Sequence, residues 1–235
     1  MRPGLPLSYF LGIRNFLAQL GWVSAMDRLI EGYRTFRETY YQQNREKLEE
    51  LAQGQSPRAM VISCCDSRVD PGLIFSAAPG EIFSLRNVAN LVPPYAPDDR
   101  HHSTSAAIEF AVRALKIEHI IVMGHARCGG VRALLGAHEG DFIGPWMRIA
   151  EPARDIAISR AGDQSPDVIQ RVAEHETLKI SLANLRTFPW IRDALRAGKL
   201  KLHGWYYDLD SGELQELDET SGEFQNLSAL TASKA

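Results

Sequence analysis

Two short, uninterrupted apolar runs constrain this chain most: Met60-Val61-Ile62 in residues 59–63, and Ile120-Ile121-Val122 in residues 119–123. A strand with one wet face alternates apolar and polar residues. A strand that is apolar throughout is covered on both faces, as in a parallel sheet packed between helices. Helical patterns surround these runs. From Met26, the apolar residues Leu29, Ile30, Tyr33, Phe36 and Tyr40 keep a 3.6-residue period. Residues 27–53 therefore read as one amphipathic helix, stopped by Gly54-Gln55-Ser56-Pro57. Residues 103–115 are apolar nearly all round and read as a buried helix. Residues 129–135 read as helix. Ser165-Pro166 is a helix start, with Ser as N-cap and Pro at the first turn, and that helix runs on toward Pro189. Residues 81–85 and 200–207 are further strands, and 213–217 an edge strand. The alternation predicts an α/β fold: an open, mainly parallel sheet of four to five strands flanked by helices.

At 235 residues the chain is long enough for one large domain with a full core. We expect a single α/β domain over 26–218, including an N-terminal helical arm over 26–57. Residues 219–235 read as a polar tail and 1–25 as a peripheral extension. Val23-Ser24-Ala25 looks like a signal cleavage site, but Arg14 and Asn15 interrupt the apolar stretch before it. No window holds the ~20 apolar residues of a membrane span. With 26 basic and 29 acidic residues, the formal charge is −3. That balance argues against a general nucleic-acid binder. Three cysteines fit no disulfide framework and point to a reducing, cytoplasmic setting.

All three cysteines fall in two segments. Cys64-Cys65-Asp66-Ser67-Arg68 follows the first strand, and His125-Ala126-Arg127-Cys128-Gly129-Gly130 follows a later one. Sites in open α/β sheets form at the carboxyl ends of the strands, so both segments should meet at one edge. Thiolate and imidazole are preferred zinc ligands. Cys64, His125 and Cys128 give three donors and leave one position open, the pattern of a catalytic zinc. Cys128 would open a helix, where the dipole lowers a thiol pKa. Asp66 either ligates the metal itself or pairs with Arg68 and accepts a hydrogen bond from the zinc-bound water. Cys65 points away from Cys64 and is assigned to packing. His175-Glu176 lacks the second His of a metalloprotease helix.

The two segments resemble the C-x-D-S-R and H-x-x-C-G-G motifs of β-class carbonic anhydrases. Residues 86–94, Arg-Asn-Val-Ala-Asn-Leu-Val-Pro-Pro, and 202–208, Leu-His-Gly-Trp-Tyr-Tyr-Asp, resemble the same family. The resemblance covers residues 29–217. It implies one zinc per subunit on Cys64, His125 and Cys128, with the catalytic Asp66–Arg68 dyad alongside. The implied reaction is reversible hydration of CO2 to bicarbonate and a proton by zinc hydroxide, on a homodimer or dimer of dimers. The implied substrate pocket takes Gln55, Phe83, Val88, Phe110 and Gly129, with Phe110 where plant-like members carry Tyr. Arg86 and Tyr207 match a bicarbonate-switched subtype. However, Val61 stands where that subtype needs Trp, so the always-open, plant-like type is expected, with Asp66 off the metal. The arm is expected to pack on a partner subunit. His101, His102 and His138 are loop candidates for moving the proton. Two other readings keep the fold: hydrolysis of CS2 or COS at the same zinc, and a non-catalytic zinc-stabilised binding module.

Overall fold

The computed structural model describes residues 24–136 and 140–227. His138 and the 1–23 part of the extension therefore lie outside the described residues. The chain divides after residue 54 into two units.

The first unit is the helical arm. It comprises α1 (Ala25–Glu38), α2 (Tyr40–Gln43) and α3 (Arg45–Leu51). Ser24 caps α1 by accepting the N–H of Asp27 at 3.1 Å. The single helix expected over 27–53 is broken at Thr39, whose φ of −112° and ψ of −82° are not helical. Thr39 Oγ1 donates back to the Thr35 carbonyl at 2.6 Å, a side-chain bond that competes with the helical ladder. Met26, Leu29, Tyr33 and Phe36 are exposed along α1.

The second unit holds the sheet. In chain order it contains β1 (Ala59–Cys64), α4 (Pro71–Ile74), β2 (Ile82–Asn87), α5 (Ser103–Glu109), β3 (His119–His125) and α6 (Gly129–Leu135). There follow α7 (Ile143–Met147), α8 (Glu151–Ala161), α9 (Pro166–Leu185), α10 (Pro189–Arg196), β4 (Lys201–Tyr207), β5 (Leu214–Leu217) and β6 (Phe224–Asn226). The strand order is β2-β1-β3-β4-β5-β6. The first four strands are parallel, and β5 and β6 are added antiparallel. The sheet thus has six strands. β5, read as the edge, is internal, because residues 224–226 of the expected tail pair with it.

Both faces of the central strands are covered, as their continuous apolar sequence requires. Met60, Ile62, Ile120 and Val122 pack under Leu178, Leu182 and Leu185 of α9. Val61, Ile121 and Met123 face the other way, toward Phe75, Ile82 and Trp205. Ala153, Ala157 and Ala173 let α8 and α9 approach closely beside the carboxyl end of the sheet. Ser165 precedes α9 in extended backbone, but its side chain makes no capping hydrogen bond. The helix read over 103–115 is not buried all round. Beyond Glu109 it widens into a π-helical turn over Phe110–Ala114, which leaves Phe110 48% exposed.

Candidate metal centre

β1 and β3 are parallel neighbours with Ser63 opposite Met123, so their carboxyl ends lie side by side. Cys64 ends β1 and His125 ends β3. Arg127 takes a left-handed φ of 58°, and this turn carries Cys128 back to the N-cap of α6. The three donor atoms lie within 4.8 Å of one another. The two sulfurs are 3.9 Å apart, and all three side chains are buried.

The donor set fits a divalent metal. His125 Nδ1 lies 2.8 Å from the Ala126 carbonyl, which fixes the proton on that nitrogen. Nε2 is buried and has no hydrogen-bond partner, an unmet acceptor of the kind a metal satisfies. Two thiolates this close repel unless a cation lies between them. In the pair, hydrogen bonding from Cys128 pulls the Cys64 pKa down against burial, with His125 adding to the pull. The Cys128 thiol is pushed up by the same contact and by its burial. Burial lowers the His125 pKa, and the neighbouring Cys64 sulfur more than offsets it.

Asp66 and Arg68 form a fork. Arg68 Nε donates to Asp66 Oδ1 at 2.9 Å and Nη2 donates to Oδ2 at 2.8 Å, while the Arg68 N–H adds 3.0 Å to Oδ1. The guanidinium holds the Asp66 carboxyl well below the usual carboxylate range. Arg68 Nη2 also reaches the Arg127 carbonyl at 3.2 Å, which ties the two ligand segments together.

Arg86 fastens the first segment from β2. Its Nε donates to the Cys64 carbonyl at 3.0 Å, and Nη2 donates to those of Asp66 and Val69 at 2.7 and 3.0 Å. Nη1 pairs with Asp70 at 3.0 Å.

Glu174 was not anticipated. From α9 it accepts the Cys128 N–H at 2.9 Å, the Gln170 amide at 2.8 Å and the Tyr206 hydroxyl at 2.7 Å. It is only 4% exposed, and burial raises its pKa. No local motif marks it; a Gln and a Glu one helical turn apart, facing the site, are its whole signature.

The remaining candidates are placed as follows. Phe83 on β2 packs against Phe110 with ring centroids 5.9 Å apart. Val88 lies against the cluster containing Cys64 and Cys128. Gly129 is the exposed first residue of α6. Gln55 is exposed ahead of β1. Cys65 is not a packing residue: it is exposed beyond the strand, where only its N–H continues the ladder, to Asn87. His102 is held by Asp98 at 2.6 Å on the surface.

The sheet edge thus defines an α/β protein with a buried cluster of three donors able to hold a metal and a carboxylate–guanidinium fork in the same loop segments. Residues 59–214 match the family model described as carbonic anhydrase. The chain is 36% identical over 202 residues to a carbonic anhydrase of Synechococcus elongatus, covering 84% of this chain and 74% of that protein. It superposes on the solved β-carbonic anhydrase CcaA with a TM-score of 0.82 at 36% identity, over 87% of this chain and 92% of that one. It is also similar to a tetrameric β-carbonic anhydrase of Sordaria macrospora: TM-score 0.75, 27% identity, 82% and 96% covered. The chain belongs to the β-carbonic anhydrase family. No helix among the described residues is long and apolar enough to cross a membrane.

Proposed function

We propose that Cys64, His125 and Cys128 hold one zinc ion per subunit, and that the enzyme uses it to hydrate CO2 reversibly to bicarbonate and a proton. The observation that carries this reading is the unmet Nε2 of His125 beside two buried sulfurs 3.9 Å apart. Zinc on such donors supplies a Lewis acid that makes water acidic enough to serve as hydroxide near neutral pH.

The chain's own residues do the rest. Asp66, kept ionised by Arg68, is a fixed acceptor for an O–H group beside the ligands. With both its oxygens on Arg68, it is held off the ligand position, as in the always-open type. Arg86, committed to the 64–70 loop, supports the same state. Phe83, Val88 and Phe110 offer apolar walls to an uncharged substrate, with Gln55 and the N–H of Gly129 as polar contacts at the rim. The exposed apolar residues of α1 support an arm that packs on a second subunit in a dimer or dimer of dimers. Thiolate ligands require a reducing compartment, for which the cytoplasm is our assignment.

Stopped-flow CO2 hydration, with zinc quantified in the same samples, tests this reading. The wild type should carry one zinc per chain and be active. Asp66→Asn should keep its zinc and lose at least ~100-fold in rate. A zinc-loaded, inactive wild type would overturn the assignment. A crystal of the zinc form at about pH 8 with an Asp66 oxygen on the metal would overturn the always-open type.

A further inference from the structure

A large cavity among the described residues lies away from the candidate metal centre. It measures about 730 Å³ and opens at the amino ends of β3 and β4. His119, in its lining, and His125, in the candidate metal centre, terminate opposite ends of the seven-residue β3, about 20 Å apart.

The walls of this cavity have two chemistries. Arg113, Lys116, Lys199 and Lys201 are among its lining, with Glu118 the one acid among the described residues there. Glu118 is taken by Arg58, whose Nε donates to it at 3.0 Å, and Arg113 is taken by Glu109 at 2.7 Å. Lys116, Lys199 and Lys201 have no carboxylate partner among the described residues. In a chain of net charge −3, three unpaired lysines on one cavity are a local excess. Of the three, Lys201 bears on His119, whose pKa is lowered by burial, by His203 and by Lys201. Trp190 and Ala194 of α10 add apolar surface to the same lining.

The backbone at the rim is arranged around the same charges. Gly198 ends α10 with φ +65°, and Lys199 follows it. Lys116 ends the π-helical turn with φ +57°. A left-handed residue after a helix is usually Gly, because a Cβ there costs about 1 kcal/mol. A lysine at that position sets its charge on the cavity in spite of the strain.

We propose that this cavity binds a nucleotide: a phosphate group held by Lys116, Lys199 and Lys201, and a base laid against Trp190. A pocket of this volume suits a small organic ligand. Lysines recognise phosphate as point charges, and an indole face accepts any base.

Calorimetric titration of the zinc-loaded full-length protein with ADP and with pyrophosphate tests the proposal. Both probes carry a diphosphate, and only one carries a base. ADP should bind saturably, more tightly than pyrophosphate, and less tightly as salt rises. Lys199→Ala with Lys201→Ala should lower ADP affinity at least about tenfold while CO2 hydration stays unchanged. Lys116→Gly should weaken ADP binding and unfold no earlier than wild type, since it relieves the left-handed strain. Absence of saturable ADP binding, or equal ADP affinity in the double lysine variant, overturns the site. Equal affinities for ADP and pyrophosphate overturn the nucleotide as its ligand.

Discussion

Glu174 shows how much of the site rests on single side chains behind the ligands. A buried carboxylate is costly unless its oxygens are occupied, and here three donors occupy them: the Cys128 N–H, the Gln170 amide and the Tyr206 hydroxyl. Replacing it with Leu strands those donors in the interior, at ~1–3 kcal/mol for each one left without a partner. Glu174→Gln keeps an oxygen for Cys128 and Gln170 and turns an N–H toward the Tyr206 oxygen. We predict that Glu174→Leu lowers the urea midpoint and gives up zinc to a competing chelator far more readily than wild type, with Glu174→Gln close to wild type in both. Equal behaviour of the two variants would mean that Glu174 contributes bulk rather than hydrogen bonds. The cluster of Cys64, His125 and Cys128 was legible because cysteines are scarce and their spacing to a histidine is chemical. Glu174 was not, because a helical glutamate ordinarily faces water and only the tertiary fold turns this one inward. Cys65 failed for a related reason: strand alternation says which way a side chain points only while the strand lasts, and β1 ends at Cys64.

At the level of elements, the candidate metal centre depends on how closely α6 seats against the turn after β2. A Cβ on Gly130 would stand 2.9 Å from Val88 Cγ1 and 3.0 Å from the Ala89 Cβ. Ala89 sits in left-handed backbone at φ 62° and yields little, so α6 would have to move and Cys128 with it. Gly204 is equally tight: its Cβ would meet Leu178 Cδ2 at 2.6 Å and Leu182 Cδ1 at 2.8 Å, between β4 and α9. Both Gly130→Ala and Gly204→Ala should cost ~1–3 kcal/mol by overpacking. Only Gly130→Ala should weaken zinc retention, measured by chelator competition beside thermal unfolding. Equal zinc affinity in the two variants would detach the seating of α6 from the metal. The elements were read well where the sequence signal is unbroken, as in the continuous apolar runs of β1 and β3 and the Ser165-Pro166 start of α9. They were misread where a local bond or a distant strand overrides the period. Thr39 breaks the arm through its own hydroxyl, Phe110 begins a π turn that the apolar pattern hides, and β6 is three residues long and exists because β5 offers an edge.

The stability of the whole fold against acid turns on a histidine that takes no part in the chemistry. His175 lies on α9 between the rings of Tyr206, 4.4 Å away, and Phe224, 4.1 Å away, so it joins α9 to both β4 and the last strand. Its Nε2 is buried without a hydrogen-bond partner. Burial, with Lys179 and Arg171 nearby, lowers its pKa from 6.5 to about 4. The unfolded chain therefore binds a proton at this residue from about pH 6.5 downward, while the folded chain refuses it until about pH 4. Stability falls across that window, because the unfolded state holds more protons there. The loss attributable to His175 is about 2 kcal/mol between pH 7 and pH 5 and nears 3 kcal/mol at pH 4. Phe in its place keeps a planar ring between Tyr206 and Phe224 and cannot titrate. Urea unfolding of wild type and His175→Phe at matched protein concentration should show the two curves converging or crossing in favour of the variant as pH falls from 7 to 5. Carboxylates and the metal centre are common to both proteins and cancel in the difference. Parallel pH profiles would mean that His175 titrates alike in the folded and unfolded chain, and that its ring is not sealed by the β6 strand that closes over it.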